Sequence, residues 1–86
     1  MSQKGRTPDE KFLIQLYKLA HQNGDPYKAI DYRGIAARLG QKESAVKNII
    51  KLLAKANFIT KVDDTTILLT SHGSDFVVDE LGSGHT

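Results

Sequence analysis

The chain contains no cysteine, which excludes disulfides and thiolate metal sites and fits a reducing cytoplasm. No apolar run approaches the roughly 20 residues needed to span a bilayer. The lead Met1-Ser2-Gln3-Lys4-Gly5-Arg6 has no apolar segment behind it of the signal-peptide kind. The expectation is therefore a cytoplasmic protein with no membrane partner. Histidine is sparse: His21, His72 and His85 stand apart and make no pair at metal-ligand spacing. No metal or cofactor is expected. Ser71, His72 and Asp75 are residue types found in catalytic triads, but they crowd into one helix start, where near neighbours do not face each other. With no oxyanion hole suggested, catalysis is not expected. Gly34, Gly40 and Gly73 do not make a phosphate-cradling loop. There are no repeats and no low-complexity tracts.

Basic residues are missing from one end. After Lys61 the chain has no Lys or Arg, while Asp63, Asp64, Asp75, Asp79 and Glu80 give that end a net charge of −5. Residues 28–61 carry Lys28, Arg33, Arg38, Lys42, Lys47, Lys51, Lys55 and Lys61 against Asp31 and Glu43, a net +6. The whole-chain value of +2 conceals this division. If folding keeps the two segments apart, they form opposite patches.

What remains is ordinary globular composition, 40% hydrophobic and 26% charged in 86 residues, and this suggests one domain with room for one core and little for a cleft. A flexible lead is expected over 1–6, a domain over 7–81 and a disordered tail over 82–86. Thr7-Pro8-Asp9-Glu10 is a helix start: Thr7 caps, Pro8 suits the first position and Glu10 completes a capping box. Phe12, Leu13, Leu16, Tyr17, Leu19 and Ala20 recur at helical spacing, and Asn23-Gly24 ends the run, so a first helix spans about 8–22. A short extended segment follows at Tyr27–Ile30.

Asp31 is a good N-cap for a second helix over about 32–39, with Ile35, Ala36 and Leu39 toward the core. Gly40 sits where a tight turn needs positive φ. A third helix spans about 43–56. At 100° per residue, Leu52, Ala45, Ala56, Ile49, Leu53, Val46 and Ile50 fall within about 160° of arc. Opposite lie Ser44, Lys47, Asn48, Lys51 and Lys55, an exposed face with lysines and no acid. Like charges on one helix face repel, and an anionic partner would remove that repulsion. Asn57 suits a left-handed cap. Residues 58–62 and 66–70 are β-prone and are joined by Asp63-Asp64-Thr65, a hairpin. Thr70-Ser71 then starts a last helix over about 72–81, with Phe76, Val77 and Leu81 on one side.

Two helices joined by a Gly-containing turn form a unit common in DNA-binding proteins. Ile35-Ala36-Ala37-Arg38-Leu39-Gly40, then Ser44-Ala45-Val46-Lys47-Asn48-Ile49-Ile50-Lys51-Leu52-Leu53, then Ala56-Asn57-Phe58-Ile59 and Leu69-Thr70-Ser71-His72-Gly73, resemble the winged helix-turn-helix proteins of the bacterial and archaeal regulator type. The match covers roughly residues 31–76. It implies an α+β fold: a three-helix core, a two- or three-stranded β-wing and a C-terminal helix. It also implies sequence-specific binding of double-stranded DNA by a small transcriptional regulator, with the third helix in the major groove. Lys42, Ser44, Lys47 and Asn48 would lie nearest the DNA. Physical chemistry adds phosphate contacts from Lys42, Lys47 and Lys51, flanking contacts from Arg33 and Arg38, and one from Lys61 at the wing base. Asn48 could bond adenine in bidentate fashion.

Two features depart from the pattern. Gln41-Lys42 is a weak cap where Ser or Thr is usual. Asp63 and Asp64 occupy the wing tip, where carboxylates repel phosphate. The alternative reading is thus a winged-helix protein–protein interaction module, using Asp63, Asp64 and the C-terminal helix. A lone module this small covers little DNA, so a homodimer is expected. In a prokaryote such a protein would be nucleoid-associated.

Overall fold

A computed structural model of the protein describes residues 7–25 and 27–82. The elements run α1 (Pro8–Gln22), β1 (Ile30–Asp31), α2 (Tyr32–Leu39), α3 (Glu43–Lys55), β2 (Ile59–Lys61), β3 (Thr66–Leu69) and α4 (Ser71–Gly82). Among the described residues, four helices and a three-stranded antiparallel sheet make a small α+β domain. In the sheet β3 lies between β1 and β2. Ile30 pairs with Ile67, and Ile59 with Leu69.

Local chemistry explains most helix ends. Thr7 Oγ1 accepts from the Glu10 N–H at 3.3 Å, and Glu10 Oε1 accepts from the Thr7 N–H at 3.1 Å, the reciprocal pair that satisfies two otherwise open donors. Asp31 caps α2 by accepting from the Arg33 N–H at 2.9 Å. Three helices close in the same manner, with a left-handed residue just past the end: Gly24 at φ 98°, Gly40 at φ 66° and Asn57 at φ 67°. In each, the next residue's N–H reaches back to the last turn: Asp25 to Ala20 O, Gln41 to Ala36 O and Phe58 to Leu53 O, at 2.9 to 3.1 Å.

The core gathers Phe12, Leu13 and Leu16 of α1 with Ile35, Val46, Ile50, Leu53, Ile59, Ile67, Leu69 and Val77. Helix α1 touches α2, α3 and α4 as well as β1 and β3, so it is the common packing surface.

Several expected boundaries shift. Helix α3 ends at Lys55, because Ala56 is its cap. The last helix takes in Ser71 and Gly82, so Gly82 is helical and does not begin a tail. The hairpin strands are shorter than 58–62 and 66–70. The lead over 1–6, Pro26 and the remaining tail lie outside the described residues. Among the described residues, no helix is long and apolar enough to cross a membrane.

One close approach was not expected. A Cβ on Gly73 would overlap the Phe58 carbonyl oxygen. The bare glycine lets the first turn of α4 lie against the chain that joins α3 to β2. Thr70 secures the same corner: its Oγ1 donates to Asn57 O at 2.6 Å and accepts from the Gly73 N–H at 3.0 Å. Its own N–H donates to Phe58 O at 3.1 Å.

Candidate nucleic-acid interface

Helix α3 presents the site, and its burial differs from the arc read from sequence. Only Val46, Ile49, Ile50 and Leu53 are buried, about 100° of the helix circumference. Ala45, Leu52 and Ala56 are exposed, and Leu52 is 59% exposed. They sit at the rim of the apolar arc, which the packed elements leave largely open. The exposed surface of α3 therefore runs from Lys47 through Lys51, Ser44, Lys55 and Asn48 to Leu52 and Ala45.

On one side of that surface lies an open groove of about 550 Å³, lined in part by Lys47 and Lys51 of α3, Lys61 of β2, and Asp64 and Thr65 of the hairpin turn. Ile50 and Ala54 give it an apolar floor, and Tyr32, 3% exposed, contributes from the start of α2. The sequence alone did not bring Lys61 to the α3 lysines. The β2–β3 hairpin does so by packing β2 against α3. Among the described residues, none of Lys42, Lys47, Lys51, Lys55 and Lys61 has a carboxylate within ion-pair distance. Three unpaired ammonium groups thus share one groove.

The groove also holds Glu43 and Asp64. This corrects the expectation that the exposed face of the third helix lacks acid. Glu43 precedes Lys47 by one helical turn and joins its side of the helix. Its carboxylate also stabilises the positive end of α3.

The other expected contact residues are distributed unevenly. Ser44 and Asn48 are exposed on α3, and among the described residues their side chains have no hydrogen-bond partner. Lys42 is the N-cap of α3 and makes no side-chain cap bond, as the weak Gln41-Lys42 start implied. Arg38 is exposed in the last turn of α2. Arg33 is already engaged: its Nη2 lies 2.7 Å from Asp31 Oδ2, and its Nε donates to Asp31 Oδ1 at 3.1 Å. That pairing, first through the side-chain hydrogen bond, holds Asp31 below the usual carboxylate range and raises Arg33. Arg33 must leave Asp31 to meet a phosphate.

The two wing-tip carboxylates have different roles. Asp63 Oδ1 turns back and accepts from the N–H groups of Thr65 and Thr66, each at 2.9 Å. Those donors, Thr65 first, hold Asp63 below the ordinary aspartate range. Asp63 is a turn-former, whereas Asp64 lines the groove.

His21 and His72 fall into structural or surface positions. The His72 ring stacks on Phe58 with centroids 4.8 Å apart, and His21 Nε2 lies 3.1 Å from the Tyr17 hydroxyl. His85 lies outside the described residues. Among the described residues, no three His, Cys, Asp or Glu side chains gather as a metal site. No protein-family model, curated protein or solved structure matches the chain.

Proposed function

We propose that this protein is a small winged helix-turn-helix DNA-binding protein that acts as a transcriptional regulator. In this reading α3 enters the major groove of double-stranded DNA. The observation that carries it is the convergence of Lys47, Lys51 and Lys61, unpaired, beside an exposed helix surface bearing Ser44 and Asn48. Ammonium groups without acidic partners can neutralise phosphates and release counterions. Exposed Ser and Asn can bond base edges. Lys42 and Arg38 extend the basic surface, and Arg33 contributes only after release from Asp31. Asp63, folded into its turn, keeps the wing tip acidic, so the wing base makes the backbone contact through Lys61. The regulator acts as a cytoplasmic homodimer, nucleoid-associated if the source is prokaryotic.

Fluorescence anisotropy with mixed-sequence duplex DNA, titrated at several salt concentrations, tests this. Lys47→Ala and Lys51→Ala should each lower the slope of log K against log salt by about 0.9. Arg33→Ala should change it less. Absence of binding at low salt, or unchanged affinity and slope in both lysine variants, refutes the reading.

A second reading draws on α4. Asp75, Val78 and Asp79 are exposed together on that helix, and Val78 is 51% exposed. An apolar residue beside two carboxylates suits a basic protein partner, the use expected of a protein-interaction module. Persistence of DNA binding in an Asp75→Ala/Val78→Ser/Asp79→Ala variant would separate the two surfaces.

A further inference from the structure

The exposed rim of α3 bears on what the DNA reading leaves open, namely which base pairs the helix selects. Asn48 has Ala45 three residues before it and Leu52 four residues after it, its two nearest neighbours along that side of a helix. All three are exposed. Leu52 is the most exposed of the large hydrophobic residues in the described structure, at 59%. An apolar side chain so placed leaves more than half of its surface to solvent. The lysines Lys47 and Lys51 lie on the opposite flank, at the groove shared with Lys61. Lys47 and Lys51 thus lie toward the hairpin, Lys55 lies between the flanks near the end of the helix, and a strip of apolar, amide and apolar groups occupies the far side.

Base-edge chemistry assigns a partner to that strip. An Asn amide bonds adenine N6 and N7 together, and apolar side chains meet the thymine methyl group. Helix α3 has no arginine, the commonest bidentate reader of guanine. Ala45 and Leu52 are seven residues apart, about 10 Å along a helix axis, which is about three base steps at 3.4 Å each. Resting on the DNA-binding reading above, we infer that α3 selects A·T pairs through the major groove. Asn48 reads an adenine, and Leu52 and Ala45 bury the methyl groups of thymines on either side of it.

Four duplexes of equal length test the inference at one salt concentration: alternating A·T, alternating A·U (thymine replaced by deoxyuridine), alternating I·C and alternating G·C. Uracil lacks only the methyl group. Inosine paired with cytosine keeps a minor groove like that of A·T but presents guanine-like atoms in the major groove. The expected order is A·T tightest, A·U weaker by about fourfold for each methyl buried, and I·C close to G·C and weaker still. Leu52→Ala should narrow the A·T to A·U gap. Asn48→Ala should bring A·U and G·C close together. Both residues are exposed, so circular dichroism should show these variants folded. Equal affinity for A·T and A·U, or an unchanged gap in Leu52→Ala, overturns the inference while leaving DNA binding intact. So does I·C bound as tightly as A·T, which would mean minor-groove readout. Absence of binding to all four duplexes at low salt overturns the DNA-binding reading itself, and the inference with it.

Discussion

Gly73 and Asp63 show how single residues fix the position of the hairpin. At Gly73 the obstacle is the Phe58 backbone, which cannot rotate away as a side chain could. Gly73→Ala should lower stability by about 1–3 kcal/mol through overpacking. Gly34, also in a helix, has nothing within 4 Å of an added Cβ. Gly34→Ala should therefore raise stability by about 0.5–1 kcal/mol. Urea unfolding of the two variants gives both signs in one comparison. At Asp63 the two backbone N–H donors stabilise the carboxylate over the acid. Its folded pKa is depressed, so its contribution is present above the unfolded value, near 4, and disappears as pH falls through the folded one. Asp63→Ala should have a lower urea midpoint than the native protein at pH 7, and the two midpoints should converge in acid. A gap that persists at acid pH would assign the effect to something other than the carboxylate.

Among the elements, α3 is strongly closed at its end and weakly capped at its start. Asn57 and Phe58 complete its last turn, but Lys42 leaves the first turn without a side-chain acceptor. Lys42→Ser should stabilise the domain by about 0.5–1 kcal/mol. It should also lower the salt slope of DNA binding by about one unit, as a phosphate contact is lost. A rise in thermal midpoint without that fall would remove Lys42 from the interface. The contrast at α3 also shows what the sequence made legible. Caps are local: Thr7-Pro8-Asp9-Glu10, Asp31, Gly40 and Asn57 signal helix ends through chemistry within a few residues, and each is found at one. The Arg33–Asp31 pair is equally local, but the spacing that marks Asp31 as a cap does not show that its second carboxylate oxygen also holds the Arg33 guanidinium. Ala45 and Leu52 belong to the apolar arc of α3 yet are exposed, because periodicity shows the arc but not how much of it is covered. Coverage depends on which elements flank the helix. The meeting of Lys61, Asp64 and Glu43 with the α3 lysines depends in the same way on hairpin register and docking, which join residues far apart in sequence.

For the whole molecule, charge and fold are arranged together. The basic segment supplies α2, α3 and β2, and the acidic segment supplies the hairpin turn, β3 and α4. Among the described residues beyond 61, Asp64 and Thr65 reach the lysine groove. The sequence division therefore survives folding at α3 and α4 but is blurred at the hairpin. Whole-domain stability rests on α1, which touches every other helix and two strands. A chain ending at residue 69 would lack α4 and leave the buried side of α1 without Val77. It should lose cooperative thermal unfolding by circular dichroism. A sharp transition in that truncated chain would show α4 to be dispensable. The packing of α1 also has a consequence for synthesis. This helix leaves the ribosome before the other elements of the domain, but the surfaces that shelter it are spread along the chain as far as α4. Phe12, Leu13 and Leu16 must wait, exposed, until α4 has been made, so the domain should acquire its native form only once its last helix has emerged and not progressively as its earlier elements appear.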